Sequence, residues 1–144
     1  MERKHVSRAS IEIAASIEHV WNALVTPATA KEYFFGAEIQ SDWREGSSIT
    51  FTGAFNGNSY HEKGTILQCQ PGRLLQYSHW SDLERLPDLP ENYRTWTFRI
   101  ESGSPNVVLS VVEDDIPDET KRARSDEFWS GVLTNIKRIV ESGT

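Results

Sequence analysis

The sequence has a single cysteine, no long apolar run and few clustered basic side chains, and each of these shortages excludes a class of protein. Because Cys69 stands alone, an internal disulfide cannot form. No stretch of about 18 apolar residues could serve as a membrane-spanning helix. Met1 to His5 lacks the apolar core of a secretion signal. We therefore expect a cytoplasmic protein without a membrane span.

The chain also lacks an excess of positive charge and the common ligand-binding motifs. The formal charge is −6, whereas nucleic acids and anionic membranes are recognised by grouped lysine and arginine side chains. The four histidines include no pair at metal-ligand spacing, and neither HExxH nor CxxC occurs. Phosphate loops of the types GxGxxG and GxxxxGK are absent. The sequence thus predicts no nucleic-acid partner, no metal and no cofactor.

What the chain does have is an ordinary globular composition with many aromatic side chains. Of its 144 residues, 38% are apolar and 25% are charged, and five Trp, six Phe and four Tyr offer large rings for burial. A chain of this length suits one domain and can bury roughly 70% of its unfolded surface without a disulfide or a metal. We predict a single domain over residues 1–144.

Apolar periodicity predicts the order strand, two short helices, six strands and one long helix. The first strand covers Ser7 to Ala15. Ser16 is a suitable N-cap for a helix that runs through Val25, and Thr26 is expected to cap a second helix that begins at Pro27. Six alternating segments follow, separated by turn residues such as the Asn-Gly pair at 56–57. They run from Ala37 to Trp43, Ser48 to Phe55, Ser59 to Cys69, Leu74 to Trp80, Tyr93 to Glu101 and Val107 to Asp114.

Two further segments differ from this strand pattern. The residues from Ser81 to Asn92 contain two prolines and several acids, which predicts a surface loop. From Asp118 the apolar period changes from 2 to 3.6, which predicts a long helix. Its wide apolar stripe must be buried, and the concave face of the sheet is the candidate surface. The stripe consists of Phe128, Trp129, Val132, Leu133, Ile136, Ile139 and Val140.

Four segments carry a resemblance to a known family. They are IEIAASIEHVWNAL at 11–24, Thr26-Pro27 followed by Tyr33-Phe34, the hairpin from Gly64 to Ser78, and FWSGVLTNI at 128–136. In this order they resemble the homologues of the heat-shock-protein-90 ATPase activator. Those proteins belong to the superfamily of the birch-pollen allergen and the steroidogenic lipid-transfer domains. Tyr33-Phe34 departs from the Trp-Phe that is usual at that position of the family.

The resemblance implies an α+β helix-grip fold. In this fold a curved antiparallel seven-stranded sheet wraps around a long C-terminal helix, and two short helices follow the first strand. Members of the family bind hydrophobic small molecules or act as co-chaperone modules, and a few more distant relatives are enzymes. The resemblance therefore implies a fold and leaves several functions open.

The side chains expected between the sheet and the closing helix could fill a core, or could surround a gap for a ligand. Following the resemblance, we interpret them as the lining of a ligand pocket. The predicted lining comprises Trp21, Phe34, Phe51, Phe55, Glu62, Ile66, Leu75, Tyr77, His79, Trp96, Phe98, Leu109, Phe128, Trp129, Val132 and Ile136.

Two polar residues of this set could contact a ligand. His79 shares a strand face with Leu75 and Tyr77, and Glu62 shares one with Ile66, so both can point inward. The alternatives are a rim histidine, or one paired with a core hydroxyl, and a glutamate in water near a strand end. The acids Glu113 to Asp115 are interpreted as a solvated strand end.

Three functions remain possible on the sequence. The first is a carrier or sensor of a hydrophobic small molecule, either a lipid or an aromatic compound. The second is a module that binds a chaperone or another protein, and the chain could be a monomer or a homodimer. The third is a pocket enzyme, such as a cyclase or hydrolase, with Glu62 and His79 as acid and base. Because the sequence shows no nucleophile–base motif, we assign no catalytic residue and favour binding.

Overall fold

The computed structural model describes residues 5–103 and 105–143, and its elements follow the predicted order. The strand boundaries lie within a few residues of the predicted ones, and two single-turn 3₁₀ helices occupy the predicted loop at Asp82–Glu84 and Pro90–Asn92. The elements are β1 (His5–Ile13), α1 (Ile17–Val25), α2 (Pro27–Tyr33), β2 (Glu38–Ser41), β3 (Ser48–Phe55), β4 (Asn58–Gln70), β5 (Leu74–Ser81), β6 (Arg94–Ser102), β7 (Val107–Ile116) and α3 (Glu119–Gly143).

The seven strands form one antiparallel sheet in the order β1-β7-β6-β5-β4-β3-β2. Successive strands from β2 to β7 are neighbours because short turns connect most of them, and Asn56 and Gly57 adopt the positive φ angles that a two-residue hairpin needs. Register shifts interrupt β1 between His5 and Ser7 and β4 between Ile66 and Gln68. Such irregularities increase the local twist of a strand.

The closing helix α3 lies against β1 and β7 and also contacts α1 and α2. Its stripe buries Trp129, Val132, Leu133 and Ile136 almost completely, while Phe128 is only partly buried. Burying a large apolar side chain contributes about 1.5–3 kcal/mol, so these four residues are a main reason why the helix stays on the sheet. The predicted α+β helix-grip fold is confirmed.

The two short helices show one prediction that holds and one that fails. The Ser16 side chain accepts a hydrogen bond from the His19 amide at 3.1 Å, as expected for an N-cap. The Thr26 side chain does not cap α2. Its hydroxyl instead donates to the Asn22 carbonyl of the preceding helix at 2.6 Å, because Thr26 also ends α1. Pro27 does occupy the first turn of α2. None of the helices in the described ranges is long and apolar enough to cross a bilayer.

Candidate functional site

A cavity of about 320 Å³ opens at one end of the interface between the sheet and α3. Its walls come from the segment that follows α2, from β3, β4, β5 and β6, from the 3₁₀ turn Asp82–Glu84, and from the partly buried turn of α3 around Phe128. Ligand pockets usually measure about 300–1,000 Å³, so this one could hold a small molecule.

Seven of the sixteen residues predicted to line a pocket do line this cavity. Phe34 lies at the centre of their aromatic group, with ring centroids 5.6 Å from Phe51 and 5.8 Å from Trp96. Phe55 is 61% exposed and forms part of the rim, since β3 ends there and turns into the hairpin. The seven are Phe34, Phe51, Phe55, Glu62, His79, Trp96 and Phe128.

The other nine predicted residues lie in the hydrophobic core and do not line the cavity. They are packed against one another along the rest of the interface, so the space between sheet and helix is filled there. Strand parity and helical periodicity give the face on which a side chain lies and not its position along the element, which is why these residues entered the set. They are Trp21, Ile66, Leu75, Tyr77, Phe98, Leu109, Trp129, Val132 and Ile136.

Five residues of the cavity wall were not predicted: Phe35, Ala37, Ala54, Tyr60 and Leu83. Tyr60 could have been found, because it shares strand parity with Glu62. Phe35 could not, because its position depends on a backbone φ of +56°, which is unusual for a bulky residue. This conformation leaves the ring 59% exposed at the cavity rim, in contact with Phe128.

The polar end of the cavity is a group of three side chains from β4 and β5. Glu62 lies opposite Ser81 in the sheet register. The Ser81 hydroxyl donates to Glu62 Oε2 at 2.7 Å, and His79 Nε2 lies 3.0 Å from Glu62 Oε1. Both side chains of the Glu62–His79 pair are mostly buried, with exposed fractions of 17% and 7%. The structure thus brings together the two polar residues that the sequence singled out.

The surroundings of Glu62 keep its carboxyl group ionised. Burial, the largest single influence, raises the pKa of this carboxyl. The hydrogen bond and the charge of His79, together with the hydrogen bond from Ser81, outweigh burial and hold the pKa below its ordinary value. Burial, and then the negative charge of Glu62, raises the pKa of the Tyr60 phenol. The cavity therefore presents a carboxylate beside a neutral phenol.

The imidazole of His79 is fixed by aromatic rings. It stacks on Trp96 with centroids 3.8 Å apart and an interplanar angle of 17°, and it meets the Phe51 ring edge-on at 5.2 Å. These contacts restrict rotation of the imidazole, so its hydrogen bond to Glu62 is held in one geometry. The cavity has a rigid polar end and an aromatic wall.

A second carboxylate lies behind the aromatic wall. The prediction that Glu113 is solvated is wrong, because its side chain is buried. Its Oε1 accepts from Trp129 Nε1 at 2.9 Å, and its Oε2 accepts from Trp96 Nε1 at 3.1 Å and from Arg94 Nη1 at 3.0 Å. Strand parity with Leu109 could have placed Glu113 on the inner face. Its three donors lie on β6 and α3 and were not visible as partners in the sequence.

No group of three or more His, Cys, Asp or Glu side chains in the described ranges is arranged as a metal site. The lining itself offers a ligand groups for hydrogen bonding, ion pairing and proton transfer at Glu62 and His79, with Tyr60 beside them.

The fold and the site together define a class: an α+β helix-grip domain with an aromatic cavity at one end of its closing helix. The chain belongs to the family of Activator of Hsp90 ATPase homolog 1-like proteins, whose model matches residues 14–141. The resemblance seen in the sequence is thereby confirmed. This family's fold commonly binds hydrophobic ligands.

Solved structures agree with this assignment. The solution structure of a Cytophaga hutchinsonii protein is 40% identical in sequence, with a TM-score of 0.84, and the match covers 99% of this chain and 98% of that one. The Aha1 dimer from Colwellia psychrerythraea is 20% identical over 97% of this chain and 98% of that one, with a TM-score of 0.76. CalU16 from Micromonospora echinospora is 20% identical over 95% and 84%, with a TM-score of 0.70. No curated protein matches the sequence.

Proposed function

We propose that the protein binds a small hydrophobic molecule in the aromatic cavity and acts as a non-catalytic carrier or sensor. The observation that carries this proposal is the composition of the wall, which presents seven aromatic rings of Phe, Tyr and Trp and concentrates its ionisable groups at one end. Burial of apolar ligand surface contributes about 25 cal/mol per Å² before the costs of association are subtracted. A ligand that fills the cavity would therefore bind measurably without any covalent step.

Fluorescence titration with the neutral apolar dye N-phenylnaphthylamine tests this proposal. We expect saturable binding to the wild-type protein. The Phe55→Ala variant should weaken it about fivefold, because a half-exposed aromatic wall contributes about 1 kcal/mol. Leu67→Ala is the matched control, since Leu67 is an exposed apolar side chain outside the cavity lining. Native mass spectrometry of freshly purified protein should in addition show any bound molecule that copurifies.

Absence of saturable dye binding, together with a mass spectrum that shows the bare protein, would contradict the proposal. Equal weakening by Phe55→Ala and Leu67→Ala would also contradict it, because the dye would then bind elsewhere. Both substitutions truncate exposed side chains and should change the free energy of unfolding by no more than about 0.5 kcal/mol, so a loss of binding cannot be attributed to unfolding.

A pocket enzyme is a second candidate, favoured by one observation. Glu62 and His79 lie within hydrogen-bond distance, and the Glu62 carboxylate is kept ionised as a general base requires. Incubation of the purified protein with a copurified molecule, followed by mass spectrometry, separates the two functions. A mass change that requires Glu62 supports catalysis, and an unchanged mass supports a carrier.

The rim of the cavity also offers apolar surface to a protein partner, because Phe35, Phe55 and Leu83 are all exposed there. The predicted co-chaperone-like role, with a chaperone or another protein as partner, therefore stays a prediction beside ligand binding. A homodimer stays one as well, and the native mass spectrum that tests for a bound molecule also gives the subunit count.

A further inference from the structure

The polar end of the cavity differs from that of a fatty-acid pocket. The ionisable side chains that line the cavity are Glu62, His79 and Tyr60, and no lysine or arginine lines it among the described residues. A ligand carboxylate or sulfonate would meet a glutamate carboxylate there. The charges of the lining therefore restrict the class of ligand that the cavity can bind.

Three of the donors near this end are already engaged within the protein, and the Tyr60 hydroxyl is a further donor in the lining. His79 Nε2 is directed at Glu62 Oε1, the Ser81 hydroxyl donates to Glu62 Oε2, and the indole N–H of Trp96 donates to Glu113 on the far side of its ring. A carboxylate oxygen accepts two hydrogen bonds, and each Glu62 oxygen receives one from these partners. Glu62 can therefore accept a further hydrogen bond from a ligand.

From this geometry we infer that the cavity selects aromatic molecules whose polar end donates a hydrogen bond, such as phenols and aromatic alcohols, and rejects aromatic carboxylates. The inference rests on the proposed function and specifies its ligand class. A hydroxyl placed at Glu62 forms a charge-assisted hydrogen bond, which is stronger than one between neutral groups. A carboxylate at the same place loses its hydration and faces a like charge.

The walls favour a flat ring over a flexible acyl chain. The Phe34 and Phe128 rings are nearly parallel, with an interplanar angle of 12°, while Phe51 meets Phe34 at 79°. The wall therefore holds rings in more than one orientation, which suits the offset-stacked and edge-to-face contacts that an aromatic ligand makes. A rigid ring also loses less conformational freedom on binding than an acyl chain does.

Three probes that share one ring system test the inference: naphthol, methoxynaphthalene and naphthoate with the same substitution position. Methoxynaphthalene keeps the oxygen of naphthol and removes its donor. By isothermal titration calorimetry at neutral pH we expect naphthol to bind about tenfold or more tightly than either of the other two, which corresponds to one charge-assisted hydrogen bond.

Substitution of Glu62 shows whether this residue sets the preference. In Glu62→Gln the like-charge repulsion is lost, so naphthoate binding should strengthen and the ratio of naphthol to naphthoate affinity should fall at least about fivefold. Glu91→Gln is the matched control, because it removes the same charge at an exposed position that does not line the cavity. This control should leave the ratio unchanged.

The outcomes separate the inference from the proposed function. If naphthoate binds as tightly as naphthol while N-phenylnaphthylamine still binds at Phe55, the ligand class is wrong and the carrier function stands. If the ratio is the same in Glu62→Gln and in the wild type, Glu62 does not select the ligand and the inference is overturned. If neither the dye nor any naphthalene probe binds, both are overturned.

Discussion

Glu62 is the residue whose charge connects the cavity to the stability of the protein. Its pKa is lower in the folded chain than in the unfolded chain, mainly because of His79 and Ser81, although burial acts in the opposite direction. The unfolded state therefore binds more protons in the acid range just below the ordinary glutamate pKa of about 4.3, so stability rises with pH there. The Glu62 contribution is complete above that range and is lost as pH falls through the lowered pKa.

We therefore expect Glu62→Gln to flatten part of the acid limb of the stability profile. Urea unfolding of the wild type and of Glu62→Gln at a series of pH values between neutral and acid measures this effect. The wild type's advantage in unfolding free energy over the variant should shrink as pH falls. Asp126 and Glu141 also have lowered pKa values and remain in both proteins, so the comparison isolates Glu62. A difference that stays constant with pH would show that the Glu62 charge has no favourable partner in the folded state.

At the scale of residues, the sequence predicted the face on which a side chain lies but not the partners that it contacts. Parity placed Glu62 and His79 inward, and the structure brings them to 3.0 Å of each other. The same rule also indicates an inward Glu113, but its charge favoured the interpretation as solvated. The three donors that bury it come from other elements and were not visible in the sequence. The position of Phe35 follows from one backbone angle that no residue pattern encodes.

At the scale of elements, the β4–β5 pairing depends on a residue without a side chain. A Cβ built on Gly64 would lie 1.6 Å from the Ser78 carbonyl oxygen of the neighbouring strand, a backbone atom that cannot rotate away. We expect Gly64→Ala to lower the free energy of unfolding by about 2 kcal/mol or more, because the strands must separate to accept the methyl group. Chemical denaturation measures this loss.

Gly131→Ala is the matched control, since it is the same chemical change in α3. Here the nearest atom is Phe35 Cζ at 3.2 Å, the far end of an exposed ring that can move. Alanine is favoured over glycine inside a helix by about 1 kcal/mol, so this variant should be as stable as the wild type or more stable. Equal losses in the two variants would mean that the close approach at Gly64 is not what costs stability.

Element boundaries were predictable where turn chemistry is strict. The Asn56–Gly57 hairpin and the Ser16 cap lie where the sequence put them, because each depends on two or three neighbouring residues. Thr26 was misjudged because one hydroxyl can serve either of the two helices that meet there, and it bonds to the carbonyl of the first. Local rules predict an element's start more reliably than the choice between two competing partners.

At the scale of the whole molecule, the order of the elements, the apolar stripe of α3 and the family resemblance together predicted the fold. A wide apolar face needs a large apolar surface, and the sheet provides it. The size and position of the cavity did not follow, since they depend on how closely the side chains of the sheet and the helix interdigitate along the interface. Nine of the sixteen predicted lining residues fill this space, and the cavity lies at the Phe128 end.

The buried carboxylate of Glu113 holds the layers of the fold together, because it accepts hydrogen bonds from β6 and from α3 while lying on β7. Among the described residues, its Oε1 has Trp129 as its donor, whereas Oε2 has both Trp96 and Arg94. Removing the Trp129 donor therefore leaves a buried anionic oxygen without a partner, and removing the Trp96 donor does not.

Trp129→Phe and Trp96→Phe are the same chemical change in two buried rings, so they test this asymmetry directly. We expect Trp129→Phe to cost about 3 kcal/mol of unfolding free energy, and Trp96→Phe about 1–2 kcal/mol less, since a hydrogen bond to a buried charge contributes about 1.5–3 kcal/mol. Urea unfolding followed by circular dichroism measures both. If the two variants lose the same stability, or Trp96→Phe loses more, the Glu113 hydrogen bonds do not determine how firmly α3 is held on the sheet, and packing of the rings alone does.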